Sequence, residues 1–133
     1  MMTPEQLVVE ARAARLKAYT PYSQFKVGAA LLTRHGTVYH GCNVENASYG
    51  LTNCAERTAF FRAIADGCQP GDFVALAVVG DTENAISPCG ACRQVLVELG
   101  GPDLPVYLAN LGSATQTTTA AALLPGAFTH ADM

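Results

Sequence analysis

The chain has 133 residues, about the size of one ordinary domain, and no linker-like stretch divides it. Charged residues make up 14% and apolar residues 50%, against roughly 25% charged in a typical soluble domain, so either the surface carries many small neutral residues or much of it is buried between subunits; a homo-oligomer is expected. The net charge is −3 with eight Lys and Arg scattered singly, which argues against a nucleic-acid partner, and no apolar run is long enough to span a bilayer.

These features leave a small, uncharged or weakly charged molecule as the expected substrate. Met1 to Gln6 lacks the basic region and apolar stretch of a signal peptide, so a cytoplasmic location is expected. In that reducing setting five cysteines, an odd number, point to metal or catalysis before disulfides.

Thr3-Pro4-Glu5-Gln6 predicts a helix start, with Thr3 as cap and Gln6 closing a capping box; helical spacing then runs to about Lys17. Thr20 to Ser23 breaks it. Phe25 to Leu32 reads as a strand, His35-Gly36 as a tight turn and Thr37 to Cys42 as the hairpin partner. A polar loop follows from Asn43 to Asn53. Cys54 to Ala65 reads as a helix with a cap at Thr52 or Asn53, stopped by Asp66-Gly67. Phe73 to Val79 is an apolar run suited to a strand covered on both faces. Ser87 caps, and Pro88 begins, a helix expected to end at Gly100-Gly101. Pro105 to Leu108 is a short strand, Thr115 to Ala122 is compositionally plain, and a last helix is expected around Thr118 to Leu124. This order implies one mixed sheet with helices packed on it, an α/β fold.

Both cysteine motifs then lie where a loop enters a helix. Cys89 and Cys92, three apart, share one helix face and can grip one ion. Alone, this pair admits a redox reading as readily as a metal one. Cys54 supplies a third thiolate, and helix N-termini favour thiolates by their partial positive charge. Three protein ligands with one open position is the catalytic zinc pattern, whereas structural sites usually close all four. Glu56, two residues beyond Cys54, supplies the acid/base group, and the arrangement matches the general description of zinc deaminases with Cys in place of His. A water at the ion's open position becomes acidic, and Glu56 is expected to accept its proton as the oxygen adds to an amidine-like carbon. Arg57, a cation in a helix's first turn, opposes the helix dipole. Beside thiolates it would offset their charge, though a surface salt bridge remains the alternative. Cys42 and Cys68 have no such partners and read as packing residues.

The zinc motif leaves the substrate open, and other residues address it. Phe25 to Ala30, Gly41 to Tyr49, Cys54 to Arg57 and Pro88 to Gln94 together resemble the small cytidine deaminases, as does the ending Leu123 to Phe128. The resemblance covers about Leu7 to Phe128, with the motifs in family order. It implies a single cytidine deaminase domain over residues 1–133, with a three-layer fold, a mixed five-stranded sheet flanked by helices. It also implies one zinc per subunit and a homotetramer with active sites near subunit interfaces. Among site residues it implies that Asn43 and Glu45 bond the ribose 3′-hydroxyl and that Phe25 lines the pocket. Phe128 would stack on the pyrimidine, from the same or a neighbouring subunit; Ala47 to Tyr49 would reach across likewise, and the Ala55 backbone with Glu56 would read the base. The expected reaction is hydrolytic deamination of cytidine and 2′-deoxycytidine with release of ammonia. A blasticidin S-type deaminase would share the cysteines and Glu56 but lack Asn-x-Glu. An editing deaminase would carry more basic surface, and a non-enzymatic zinc or redox module would give Glu56 no role.

Overall fold

The computed structural model describes residues 2–133. The first helix, α1 (Pro4–Arg15), begins at the capping box read from the sequence, with Thr3 and Gln6 bonded reciprocally, and buries Leu7, Ala11 and Ala14 along one stripe. Strands β1 (Val27–Thr33) and β2 (Val38–Cys42) form an antiparallel hairpin. There follow α2 (Ala55–Ala65), β3 (Phe73–Gly80), α3 (Gly90–Val95), β4 (Pro105–Ala109), β5 (Thr115–Thr119) and α4 (Ala120–Leu123).

The sheet runs β2-β1-β3-β4-β5, with β3 parallel to β4 and the other pairs antiparallel, a mixed five-stranded sheet as expected. Because successive strand residues point to opposite faces, each buried strand feeds two cores. Ala29 and Leu31 of β1, with Leu76, Val78, Val106 and Leu108, pack against Ala59, Phe60 and Ala63 of α2 and against Cys92 and Leu96. The alternate residues Ala30, Leu32, Ala75, Ala77 and Val79 pack against Leu7 and Ala11 of α1 on the other face. Three layers result, and both cysteine motifs belong to one of them. No helix among the described residues is long and apolar enough to cross a membrane.

Four local expectations are corrected. Cys54 is itself the N-cap of α2 and does not sit inside the first turn; neither Thr52 nor Asn53 caps. Likewise Cys89, not Ser87, caps α3, and Pro88 precedes the helix instead of starting it. Neither cysteine side chain makes a capping hydrogen bond, because the sulfurs turn towards one another. The helix expected to run unbroken to Gly100 is α-helical only to Val95 and widens to a π-turn over Leu96–Gly100. Finally, Thr115–Thr119 is an edge strand, and α4 begins at Ala120 with Thr119 as its cap. Four β-favouring threonines were the available signal, masked by the lack of alternation in a Thr-rich run.

Gly41 sets where α2 lies. A Cβ there would stand 2.2 Å from the Ala55 carbonyl oxygen and 2.5 Å from the Ala59 nitrogen, so α2 rests its backbone directly on β2. Gly41→Ala must push the helix outward, and with it Cys54 and Glu56. The expected cost is about 3 kcal/mol of stability, read from the urea midpoint, with a fall in bound zinc. An unchanged midpoint would rule out this account of the packing.

Candidate active site

Two helix N-termini converge on one point. Cys54 precedes α2, Cys89 precedes α3, and Cys92 occupies the first turn of α3. Their sulfurs lie within 4.8 Å of one another, and Cys54 Sγ is 3.8 Å from Cys89 Sγ. A tetrahedral zinc ion with bonds of about 2.3 Å holds its sulfur ligands roughly 3.8 Å apart. The observed spacing and the soft donors fit one zinc ion per chain. The exposed Cys89 stands at the solvent side of the cluster, the half-buried Cys54 between, and Cys92 is fully buried.

The electrostatics follow from this crowding. The Cys54 thiol is pushed down to about 5, first by a hydrogen bond from Cys92 and then by Arg57 and Cys89. The same contact, with burial, raises the Cys92 thiol. Arg57 Nη2 donates to Cys54 Sγ at 3.3 Å, which holds the guanidinium firmly charged. The cation that opposed the helix dipole is therefore spent on a ligand sulfur, and the surface salt bridge is not observed.

Glu56 follows Cys54 by two residues and is only 4% exposed. Burial pushes its carboxyl up to about 6, and the charge on Cys54 pushes the same way, while a bond from its own backbone N–H and then contact with Cys92 oppose them. The Ala55 N–H lies in the first turn of α2, where a helix offers its own amides no acceptor. A buried carboxylate thus borders the sulfur cluster, one residue after Ala55.

Asn43 and Glu45 lie just past β2. Val44 bridges two segments at once: its N–H and C=O pair with Asn53, each at 3.0 Å, and its neighbours bond Tyr19 on the other side. That bridge ties the loop to the residue before Cys54. Asn43 and Glu45 flank Val44 and, as period-two alternation requires, both face the segment from Tyr22 to Val27. The buried Asn43 accepts from the Val27 N–H at 2.9 Å and donates to the Phe25 carbonyl at 2.8 Å, leaving one donor and one acceptor site. Glu45 accepts from the Tyr22 and Ser23 N–H groups, at 3.0 and 3.1 Å, and from the Ser23 hydroxyl, which holds its carboxyl below the usual range. Tyr22, Ser23, Glu45, Tyr49 and Thr52 line a cleft there. Ser23 is the residue that sequence reading missed; it was seen only as part of a helix-breaking turn.

The aromatic residues are placed less tightly. Phe25 lies against the end of β3 at Gly80 and is partly exposed; Tyr49 packs edge-on to Tyr22 in an exposed 3₁₀ turn that follows the exposed Ala47. Phe128 is 61% exposed, with its carbonyl bonded to Gln94 of α3. Cys42 and Cys68 lie outside the cluster; Cys68 packs on the core beside Tyr39.

A mixed sheet that carries three cysteine sulfurs and a buried glutamate at two converging helix N-termini is the architecture of a zinc-dependent deaminase. The comparisons agree. Residues 1–108 match the family model for the cytidine and deoxycytidylate deaminase zinc-binding region. The chain is 58% identical to a cytidine deaminase of Sporosarcina psychrophila over 99% of its own length and 96% of that protein. A cytidine deaminase of Halalkalibacterium halodurans is 57% identical over 99% of this chain and 98% of its own. The crystal structure of a cytidine deaminase from Burkholderia pseudomallei superposes with a TM-score of 0.95 at 62% identity, covering 96% of this chain and all of that one. The chain belongs to the cytidine deaminase family, which also disposes of the redox-pair reading of Cys89 and Cys92.

Proposed function

We propose that the protein deaminates cytidine and 2′-deoxycytidine hydrolytically, giving uridine, 2′-deoxyuridine and ammonia. The observation that carries this reading is Glu56, a carboxylate buried beside three sulfurs that fit zinc. Cys54, Cys89 and Cys92 would hold zinc, which would supply the Lewis-acid chemistry that lowers the pKa of a water. Glu56 takes a proton from the water as its oxygen adds to the carbon bearing the amino group, and gives that proton to the adjacent ring nitrogen. The water's second proton passes through the same carboxylate to the leaving amine, which departs as ammonia, so all atoms balance. The Ala55 amide and Glu56 orient the base. Arg57 draws charge from the thiolates and so restores the acidity of the water.

Asn43 and Glu45 take the ribose 3′-hydroxyl. A hydroxyl both donates and accepts, and the sites left free on these two side chains, already fixed by Val27, Phe25, Tyr22 and Ser23, offer it both. Phe25 lines the pocket, and Phe128 stacks on the pyrimidine. Exposed apolar side chains at Tyr19, Tyr22, Phe25, Val44, Tyr49 and Leu51 crowd the two segments around the cleft, and they support a homotetramer with active sites at subunit contacts, where Ala47 and Tyr49 reach a neighbour. The low, scattered positive charge supports a nucleoside substrate over a nucleic acid. We place the protein in the cytoplasm, as a single domain over residues 1–133.

Asn43→Ala tests the sugar assignment. A site built to bond a hydroxyl rejects an analogue lacking it by about ten-thousandfold, so cytosine should be that much poorer than cytidine for the unaltered protein. The substitution should cut cytidine turnover steeply and leave the residual cytosine rate nearly unchanged. It should also cost about 2 kcal/mol of stability, since the Val27 N–H and Phe25 carbonyl lose their partners. Equal losses on both substrates, followed by ultraviolet absorbance, would refute the assignment. Because the 3′-hydroxyl is the one read, 2′-deoxycytidine is expected to react as well, and a strict requirement for cytidine counts against it.

A further inference from the structure

Two polar side chains directly after Cys92 have no part in the chemistry above. Arg93 folds back along α3 and spends its guanidinium on three acceptors: Nε donates to the Pro88 carbonyl at 2.8 Å, Nη2 to Ser87 Oγ at 2.6 Å and Nη1 to the Leu123 carbonyl at 2.7 Å. Gln94 Nε2 donates to the Phe128 carbonyl at 2.9 Å. Adjacent residues of the ligand helix therefore hold both ends of the segment from Leu123 to Phe128.

In the middle of that segment only Leu124 and Ala127 rest on the core, both partly buried. Pro125 has no N–H to donate, Gly126 has a φ of +65°, and Phe128 belongs to no helix or strand. With its ring mostly exposed, Phe128 has no packed cavity to fix its position. What fixes it is the packing of its neighbour Ala127 and its own backbone, whose side-chain partner is Gln94.

We propose that Gln94 is a positioning residue: it fastens the Phe128 segment to the helix bearing Cys92, with Arg93 anchoring the other end, and so presents the ring for the pyrimidine. The inference rests on the reading of Phe128 as the stacking residue. Stacking acts on the bound base before and during reaction alike, so a loosened ring weakens binding in proportion to the time it spends misplaced and leaves the chemical step nearly intact. A merely structural role would instead lower the thermal midpoint, the zinc content or kcat.

The test is a double-mutant cycle in the zinc-loaded, full-length protein. Phe128→Ala should raise KM for cytidine about tenfold, the scale of a lost base–aromatic stack. Gln94→Ala should raise KM by roughly three- to tenfold, with kcat within about twofold, bound zinc unchanged and the thermal midpoint steady. Gln94→Glu, which keeps the shape and loses the donor, should match it. The double variant should be no worse than Phe128→Ala alone, because Gln94 acts through that ring. Additive losses overturn the proposal, as does a normal KM for Gln94→Ala where Phe128→Ala raises it. An unchanged KM for Phe128→Ala overturns the stacking reading beneath it. Should Gln94→Ala fold poorly, Gln94→Met, similar in length and without a donor, takes its place.

Discussion

Glu56→Gln is expected to lower cytidine turnover about ten-thousandfold, the upper end of what one acid/base group contributes, while the protein keeps one zinc ion per chain. Glutamine has the same shape and fills the same buried space, so the helix N-terminus and the sulfur cluster should stay where they are. What it lacks is a basic oxygen. In the proposed reaction both proton transfers pass through this one carboxylate, so their losses compound in a single substitution. The zinc ligands are sulfurs on residues 54, 89 and 92, each held by its own backbone at the start of α2 or α3. Stability should change by less than about 1 kcal/mol, because the lost attraction to the helix dipole is offset by relief of a buried charge. Zinc measured by elemental analysis beside turnover separates the two effects. Turnover within tenfold of the unaltered protein would remove Glu56 from the mechanism.

The elements with strong local signals were legible in the sequence. The Thr3–Gln6 box fixed the start of α1, and the apolar run from Phe73 marked a strand buried on both faces. The cysteine spacing announced a shared ion because residues three apart meet on a helix, and that meeting survives Cys89 being the cap instead of a helical residue. Contacts made between distant segments were not legible. Nothing local to Ser23 indicates that it grips Glu45, since the bond spans 22 positions and depends on the Val44 bridge. The same holds for the bonds from Arg93 to Leu123 and from Gln94 to Phe128, which span 30 and 34 positions. Thr115–Thr119 failed for a different reason: an edge strand with little buried surface shows no alternation, and its pairing with β4 decides its form. The resemblance supplied the fifth strand where the residue pattern did not.

Cys92→Ser is expected to strip the zinc and, with it, at least a thousandfold of turnover, on the order of one lost acid/base or electrostatic contribution compounded with the other. Cys92 is the fully buried member of the cluster and lies against both Cys54 and Glu56, so no solvent-borne donor can take its place. A serine hydroxyl is a hard, weakly acidic donor and a poor substitute for a thiolate on zinc. Because zinc binds the folded chain, its loss also removes stability, by an amount set by the free zinc concentration relative to the dissociation constant. A chelator should therefore lower the thermal midpoint of the unaltered protein by several degrees and leave that of Cys92→Ser unmoved. Cys42→Ser and Cys68→Ser provide the contrast: both sulfurs lie outside the cluster, so zinc content and turnover should persist. If Cys92→Ser held a full complement of zinc and kept its rate, the three sulfurs would have to be read as neighbours in a core and the open position at the metal would need another set of ligands.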